Sequence, residues 1–407
     1  MEIKFFQDKA SIIANLAAKI SQSPLSKNVY EIYEESKKEA KFAYNICKKY
    51  KHMVFGDFLD YAVVFDGISR FSCLYLWRNV NSLNNVYGVG IETSFRVVKP
   101  EKFVFDDELF LKCKKVYDRA IEKGIKEQDA RYVLPEATLT RLILSFPPRY
   151  FSKLLYAFKE NLGEFQEIKR GLEKILKENF DYDIYEDLPT SWEFFGVWKK
   201  EKEDLEIDYK KVDGKIDIYS LSLNAYVSGS LAMYAQLVRQ RQFLCIIEPI
   251  SNIVENSEFV LPNSFDKELE ELYMGLAEEM SKKQKELLNK GDLNFVYYLL
   301  LGQKADARLY GKGISVIETS KRRSCGVSQW EIRNKVGLSL LKKLKEIGLE
   351  KESSPACYIN KKCIEPSVFK TKKSVCKIFN NYLGALDKLT IEDIFLYLSE
   401  PIKTFKV

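Results

Sequence analysis

Short motifs recur in the same order in the two halves of this sequence, and an internal repeat limits the possible folds more than any other feature. The matched pieces, first half against second, are Ser69-Arg70 then Arg78 against Ser230-Leu231 then Arg239, Asp129-Ala130-Arg131 against Asp306-Ala307-Arg308, and Gln166-Glu167-Ile168 against Trp330-Glu331-Ile332. Ordered matches of this kind predict a tandem duplication. The length of 407 residues agrees, because a domain commonly has about 100 to 200 residues.

The composition is that of a globular protein that has almost no histidine. Apolar residues make up 46% and charged residues 30%, so most of the chain should fold around hydrophobic cores. The net charge of +6 is too small, over this length, to indicate a nucleic-acid partner by itself. His52 is the only histidine, which excludes any zinc site or mechanism that needs two imidazoles.

Neither export nor a membrane span is predicted. Residues 1–9 carry charges where a signal peptide has an apolar region, and no window approaches the ~20 apolar residues of a membrane helix. We therefore expect a cytoplasmic protein.

The eight cysteines of the chain form no CxxC pair. Cys357, Cys363 and Cys376 lie close together in a lysine-rich tail, either as incidental thiols or as zinc ligands that need a fourth partner.

Hydrophobic periodicity and chain breakers predict an α+β fold dominated by helix. Helical patterns extend over 8–50, 150–178, 222–241, 266–290 and 329–348, and short strands are predicted at 97–98, 103–105 and 259–261. The polar segments 182–190 and 199–213 are typical of an inter-domain connection. The predicted domains are a first copy at 1–190, a second copy at 200–348 and a C-terminal extension at 349–407.

The first half carries motifs that resemble the flavin-dependent thymidylate synthases, the ThyX family. In order, they are His52, Asp66-Gly67-Ile68-Ser69-Arg70, Arg78, Glu92-Thr93-Ser94-Phe95-Arg96, Ala130-Arg131-Tyr132-Val133-Leu134-Pro135 and Phe165-Gln166-Glu167-Ile168. The family pattern has an arginine-histidine-arginine element before a Glu-x-Ser-x-Arg tail. This copy keeps the tail, but Asn79 and Val80 replace the histidine and the second arginine.

The second half carries the complementary pieces. Gln236-Leu237-Val238-Arg239-Gln240-Arg241 keeps both arginines, with Gln240 in place of the histidine, and Arg323 precedes Gln329-Trp330-Glu331-Ile332. Ser251-Asn252 stands where the Ser-x-Arg tail is expected. Active sites of the family combine residues of different subunits. The resemblance therefore implies a fused pseudo-dimer of the ThyX-type fold, helices packed on a central, mostly antiparallel sheet, in which one composite site survives and the reciprocal one is inactive.

The resemblance also implies an activity and residue roles. The family transfers a one-carbon unit from methylene-tetrahydrofolate to dUMP, with FAD as redox carrier and NADPH as its reductant. The implied cofactor ligands are Arg78, Arg239, Gln240 and Arg241, the implied nucleotide ligands are Gln236, Glu92, Ser94, Arg96 and Arg131, and the implied catalytic residues are Arg308 and Arg323. Arginine suits both phosphate-bearing molecules, because its planar fork binds phosphate with two hydrogen bonds and keeps its charge. The implied assembly is a homodimer of pseudo-dimers.

Each motif also has a simpler interpretation. Arg239 and Arg241 could be solvated side chains, and Lys321-Arg322-Arg323 could be an anion-binding turn, a surface run or a nucleic-acid contact. The alternative function is a non-catalytic relative that binds a nucleotide or a nucleic acid. The sequence leaves open whether flavin binding survives, which pyrimidine is the substrate and what the tail does.

Overall fold

The computed structural model divides into two compact units. It describes residues 2–7, 29–38, 61–82, 89–92, 99–146, 160–179, 193–238, 243–363, 376–382 and 385–407, with a few isolated positions besides. Unit 1 comprises Met1–Asp106 and Ala137–Ser191, and unit 2 comprises Asp107–Glu136 and Trp192–Val407. The segment 107–136, which the predicted boundaries assign to the first copy, thus clusters with the second half, and so does the tail after residue 348.

The described part of the chain contains both strands and helices. The strands are β1 (Glu2–Gln7), β2 (Tyr61–Ser69), β3 (Val89–Glu92), β4 (Leu139–Phe146), β5 (Asp204–Val212), β6 (Lys215–Ser230), β7 (Phe243–Ile247), β8 (Glu258–Leu261), β9 (Lys304–Lys312) and β10 (Lys403–Lys406). The helices are α1 (Val29–Lys38), α2 (Arg70–Ser82), α3 (Glu108–Glu122), α4 (Gly163–Asn179), α5 (Leu231–Leu237), α6 (Ile250–Asn256), α7 (Lys267–Asn289), α8 (Ile314–Arg323), α9 (Ser339–Glu346), α10 (Lys377–Tyr382) and α11 (Ile391–Leu398). Shorter turns lie at Glu127–Ala130, Arg131–Val133, Leu293–Tyr298, Trp330–Ile332, Glu350–Ser353, Ala356–Ile359 and Leu386–Lys388, and a π-helical turn at Arg333–Leu338.

Unit 1 contains an antiparallel sheet with the strand order β1-β2-β4-β3. Helix α2 follows β2 directly, and its buried face packs aromatic rings against α4. The ring of Phe165 stacks on Phe71, with centroids 6.0 Å apart, and lies 4.7 Å from the ring of Tyr75. Aromatic pairs at these separations add to the burial of apolar surface, so they fix α4 against the start of α2.

Unit 2 contains a second antiparallel sheet, with the order β5-β6-β9-β7. In each sheet, the fourth strand in sequence lies between the second and the third strand in sequence and pairs with both. A tight turn joins β5 to β6, where Asp213 and Gly214 both have positive φ, 50° and 76°. Aspartate and glycine suit this turn because they tolerate the left-handed region.

The predicted class, a mixed helical and sheet protein with antiparallel sheets, is confirmed. Helix α7 confirms the pattern at 266–290, and β8 confirms the strand at 259–261. The helix predicted over 222–241 is wrong before residue 231, because β6 continues to Ser230. The end of β6 is buried on both faces, and a run that is buried throughout does not show the alternation of a half-buried strand.

The charged segment 199–213, predicted as a connection, contains β5. This strand lies at the edge of its sheet, and most of its residues are exposed. Edge strands tolerate charged residues, which protect them against pairing with other chains. The charged composition of this segment therefore did not predict β5.

The tail joins the core of unit 2. β10 pairs with β8 in antiparallel register, and the ring of Phe405 stacks on Phe259 with centroids 5.3 Å apart. Ile394 and Leu398 of α11 are buried with Leu341 of α9 in one apolar cluster. Within the described part of the chain, no helix has the length and apolar character needed to cross a membrane.

Candidate functional site

In unit 1, a buried glutamate fixes the junction between β2 and α2. Glu164 of α4 accepts hydrogen bonds from the Ser69 amide at 2.7 Å, from the Ser69 hydroxyl at 2.6 Å and from the Ser72 hydroxyl at 2.5 Å. The Ser72 amide donates in turn to the Ser69 hydroxyl at 2.9 Å. Ser69 is thus the N-cap of α2, and the carboxylate of Glu164 satisfies amide and hydroxyl groups that would otherwise be unpaired at the start of a helix.

Unit 2 has the same junction between β6 and α5. Glu331 accepts from the Ser230 amide and the Ser230 hydroxyl, both at 2.6 Å, and the Met233 amide donates to the Ser230 hydroxyl at 3.0 Å. Tyr132 adds a donor, because its hydroxyl lies 2.7 Å from Glu331 Oε2 and accepts from Gln329 Nε2 at 2.7 Å. All of these groups are buried. The two junctions place a serine and a glutamate in equivalent positions.

The structural equivalence shifts one of the matches found in the sequence. The sequence match pairs Glu331 with Glu167, but Glu167 is exposed on α4. The residue in the position equivalent to Glu331 is Glu164. The match of the two Glu-Ile dipeptides had set the register three residues too late. The two matched serines, Ser69 and Ser230, identify the equivalent glutamates, because each serine bonds one of them.

The match of Asp129-Ala130-Arg131 with Asp306-Ala307-Arg308 is also wrong as a structural equivalence. The first triplet lies in the turns Glu127–Ala130 and Arg131–Val133, whereas the second lies within β9. In strand order, the counterpart of β9 is β4. Identities of three residues often occur by chance, so we assign the equivalent elements from the strand order and not from this match.

Two of the predicted nucleotide ligands are buried and bonded within the protein. Glu92 is 4% exposed, forms an ion pair with Arg70 and accepts from the Thr140 hydroxyl at 3.4 Å. Arg131 is 4% exposed, and its Nε donates to the carbonyl of Gln128 at 3.1 Å. Gln236 is half-buried on α5. None of the three roles is tested by these positions, and all remain predictions.

The two predicted catalytic arginines lie on different elements of unit 2. Arg308 of β9 forms an ion pair with Glu201 at 2.6 Å, and its guanidinium lies 5.5 Å from the ring centroid of Trp198. Arg323 is half-buried in the last turn of α8. Arg308 is thus held by a carboxylate and an aromatic face, which fixes its position but also neutralises part of its charge.

The other predicted site residues lie outside the part that the structure describes. They are Ser94, Arg96, Arg239, Gln240 and Arg241, and the side chain of Arg78, whose backbone belongs to α2. His52, a motif residue with no predicted role, lies outside the described part as well. Arg239–Arg241 follow α5 and precede β7 in the sequence. Their roles as cofactor and nucleotide ligands remain predictions.

Next to Arg308, sequence reasoning did not predict the buried acidic pair of Asp306, on β9, and Glu248, the residue that follows β7. The Asp306 amide donates to Glu248 Oε1 at 2.8 Å, and the Tyr226 hydroxyl donates to Asp306 Oδ2 at 2.7 Å. Burial, and to a smaller extent the charge of the neighbouring Asp306, raises the pKa of Glu248 to about 7, although the hydrogen bond from the Asp306 amide lowers it. Burial and the bond to Asp306 raise the pKa of Tyr226 to about 12. Such a pair can hold a proton near neutral pH.

The cysteines give no support to a zinc site. Cys357, Cys363 and Cys376 are free thiols that contact one apolar cluster, and burial raises the pKa of Cys357 to about 11. Among the described residues, no group of three or more histidine, cysteine, aspartate or glutamate side chains is arranged to hold a metal ion. Thiols with raised pKa values are poor metal ligands, which favours the interpretation as incidental thiols.

A family model connects part of the chain to the family that the motifs resemble. The model of Thy1, described as thymidylate synthase complementing protein, matches residues 3–178, which is less than half of the chain. The match ends at the C-terminal end of α4. No curated protein matches the chain.

The chain is also distantly similar to solved structures. Thymidylate synthase X from Helicobacter pylori, solved with FAD and dUMP, is 19% identical, with 44% of this chain and 98% of that chain covered and a TM-score of 0.33. The UMP/dUMP methylase PolB from Streptomyces cacaoi, bound with 5-Br dUMP, is 13% identical, with 44% and 90% covered and a TM-score of 0.32. At these values the likeness does not establish a shared activity.

Proposed function

We propose that this protein is a flavin-dependent, thymidylate synthase-like enzyme that acts on a pyrimidine nucleotide. The observation that carries the proposal is the match of the Thy1 model to residues 3–178. That range contains the Asp-Gly-Ile-Ser-Arg and Glu-x-Ser-x-Arg motifs, at 66–70 and 92–96. The proposal includes FAD recharged by NADPH, methylene-tetrahydrofolate as the one-carbon donor, dUMP or a related nucleotide as acceptor, a cytoplasmic location and a homodimer of chains.

The proposal also includes a tandem duplication of the ThyX-type unit. Two observations support it: both sheets have the same strand order, and a buried serine at the end of the central strand bonds a buried glutamate in each unit. A shared strand order alone can arise twice, since few antiparallel arrangements exist. A repeated side-chain lock at the same topological position is a more specific sign of common origin.

The residues available for a flavin dinucleotide suit its phosphates better than its ring. Arg78, Arg239 and Arg241 supply guanidinium groups for a pyrophosphate, and Gln240 supplies an amide. Leu244 and Ile246 of β7 stand where the family resembled has a serine and an asparagine, and both are half-buried apolar side chains. When bound, flavin would supply the redox chemistry, and the arginines of this chain would bind and orient it.

The absorption spectrum of the purified protein and a nucleotide titration test the proposal. We expect a flavin spectrum, either as purified or after addition of FAD, and saturable binding of dUMP. Arg96→Ala and Arg239→Ala should each weaken dUMP or FAD binding by tenfold or more, about the loss of one charged hydrogen-bonded pair. Arg170→Ala, an exposed arginine on α4, is the matched control. A protein that binds neither FAD nor dUMP is not such an enzyme.

A repurposed nucleotide or nucleic-acid binding protein is the second candidate. It is favoured by the loss of the central histidine from both copies and by the ion pair that engages the predicted nucleotide ligand Glu92 with Arg70. This candidate predicts an affinity for RNA or DNA that falls steeply with salt, in the absence of flavin. Growth of a thymidine-requiring host on this protein alone would exclude it.

A further inference from the structure

A polar pocket of about 220 Å³ lies on one face of the second sheet, within unit 2. Its wall is formed by β6, β9, the C-terminal strand β10 and the segment before β5. The charged and hydroxyl-bearing residues that line it are Lys200, Glu201, Glu203, Tyr226, Ser228, Lys304, Asp306, Lys335 and Thr404. Neither the sequence motifs nor the proposed function accounts for this pocket.

The equivalent position of the first sheet shows what has changed. There Asp66 of β2 faces Arg141 of β4, and the two form an ion pair at 2.8 Å. In the second sheet, Ser228 and Asp306 occupy the corresponding facing positions. An aspartate of unit 2 thus stands at the register position that an arginine holds in unit 1. A buried carboxylate stands in unit 2 where unit 1 has a solvated pair of opposite charges.

Asp306 has no cationic partner among the residues that the structure describes. It is 3% exposed and accepts from the neutral hydroxyl of Tyr226. Beside it, Ser228 is 5% exposed, and its hydroxyl makes no hydrogen bond within the described chain. A buried carboxylate without a cation and a buried hydroxyl without a hydrogen bond are both costly. A ligand that carries a positive charge and hydrogen-bonding groups would satisfy both.

The lysines of the pocket add a site for negative charge. Lys304, two residues before Asp306 on β9, lies 2.7 Å from Glu258, and Lys200 lies 4.0 Å from the same carboxylate oxygen. Two ammonium groups therefore share one carboxylate. Lys335, by contrast, is fully engaged, since it donates to both oxygens of Glu203 at 2.6 and 2.7 Å. The pocket thus presents a negative floor at Asp306 and a positive rim at Lys200 and Lys304.

We propose that this pocket binds a small zwitterion, a free α-amino acid, with its ammonium group at Asp306 and its carboxylate at Lys304 and Lys200. The two anchors on β9 lie on the same face of the strand, roughly 7 Å apart along it. The volume holds about seven waters at ~30 Å³ each, so it suits a ligand of about seven to ten non-hydrogen atoms and is too small for a nucleotide. The proposal does not depend on the proposed function.

Calorimetric titration of the full chain with glycine, L-serine and L-glutamate tests the proposal, with ethylammonium and acetate as half-ligands. At least one amino acid should bind, and each half-ligand should bind at least tenfold more weakly, because it contacts only one of the two anchors. The proposal is overturned if no amino acid binds up to about 10 mM, the weak end of specific binding. It is also overturned if acetate binds as tightly, which would define an anion site, or if ethylammonium does, which would define an amine site.

Two variants locate the binding in the pocket. Asp306→Asn should lower the affinity tenfold or more. Thr404→Trp places a bulky side chain at the exposed mouth and should abolish binding, whereas Lys406→Trp, two residues along β10 and outside the lining, should not. If Asp306→Asn fails to fold, the comparison of Thr404→Trp with Lys406→Trp decides whether the amino acid binds in the pocket. Unchanged binding in Thr404→Trp would overturn the assignment.

Discussion

At the scale of single residues, Glu248 couples the stability of unit 2 to pH. It is 1% exposed and accepts from the Asp306 amide, and its pKa is raised from 4.5 to about 7, first by burial and then by the charge of Asp306. The native protein therefore holds this proton at pH values where the unfolded chain has released it. Between these two pKa values the native state binds more protons, so the free energy of unfolding falls as pH rises.

We predict that Glu248→Gln flattens the pH dependence of stability. In the wild-type protein, the unfolding free energy should fall by on the order of 2 to 3 kcal/mol from about pH 5 to about pH 8, because one pKa unit corresponds to ~1.4 kcal/mol. Glutamine keeps an acceptor for the Asp306 amide and cannot ionise. Denaturant titrations at several pH values measure the difference, and parallel curves for the two proteins would show that Glu248 does not titrate in this range.

A second prediction concerns the two serine-glutamate junctions. Glu331→Ala and Glu164→Ala each leave an amide and hydroxyl groups buried without an acceptor, which should cost about 3 kcal/mol or more. Hydrogen exchange should then accelerate in α5 for the first variant and in α2 for the second. Glu167→Ala, on the exposed face of α4, is the control and should change stability by less than ~0.5 kcal/mol. Equal effects of Glu164→Ala and Glu167→Ala would refute the structural register.

Sequence reasoning reached some of these residues and missed others for a physical reason. Ser69 and Ser230 were matched by their spacing to Arg78 and Arg239, and in the structure the hydroxyl of each accepts an amide at the start of a helix. Glu164 and Glu248 were missed, because the importance of a carboxylate depends on burial and on partners distant in sequence. Glu164 acts 95 residues away from Ser69, and no local pattern reports such a contact.

At the scale of elements, Arg333 connects the tail to the π-helical turn of unit 2. Its Nε donates to the carbonyl of Leu398 at 2.9 Å, and its Nη2 donates to Glu400 at 2.9 Å. Its Nη1 donates to two further carbonyls, of Gly326 and Ser328. Burial lowers the pKa of Arg333, which shows that its charge is poorly hydrated, and the Glu400 carboxylate compensates for part of this loss.

We predict that Arg333→Ala releases the tail before the sheet unfolds. Removing one partner of a buried, hydrogen-bonded ion pair costs about 3 to 5 kcal/mol, so amide exchange in α11 and β10 should accelerate strongly. Lys377→Ala is the matched control, because its ammonium lies 3.6 Å from the same Glu400 carboxylate but is exposed. Exposed pairs contribute at most about 1 kcal/mol. Unchanged exchange in Arg333→Ala would mean that apolar packing alone holds the tail.

The elements were predicted best where one face is buried and the other is exposed. Helix α7 has one buried stripe and a long exposed face, and its periodicity gave its bounds almost correctly. The strands β5 and β6 were missed, because one is almost fully exposed and the other is buried on both faces at its end. β5 shows the two-residue alternation that identifies a strand in a sequence only over residues 204–209, and β6 shows it only over residues 221–225, before its fully buried end.

At the scale of the whole molecule, the chain does not divide at a single linker. The segment 107–136 belongs to unit 2, although Ala137–Ser191 of unit 1 follows it in the sequence. Backbone hydrogen bonds attach it: the Glu136 amide to Leu299 at 2.7 Å, the Leu301 amide to Leu134 at 2.8 Å and the Gly302 amide to Tyr132 at 2.9 Å. Its helix α3 also forms ion pairs with the first turns of α7, at Arg119 and Lys123.

A cut at the predicted boundary should therefore yield two pieces that depend on each other. We predict that 1–190 and 193–407, expressed together, purify as a complex, and that 193–407 alone is markedly less stable, because it lacks the buried Tyr132 that donates to Glu331. Tyr132→Ala in the first piece should weaken the complex at least tenfold, since a buried aromatic side chain contributes about 3 to 5 kcal/mol. Tyr219→Ala, at a tyrosine that is 76% exposed, is the control in the second piece. If 193–407 folds alone with undiminished stability, the segment 107–136 merely lies on its surface, and the sequence boundary at residue 190 marks an independent domain.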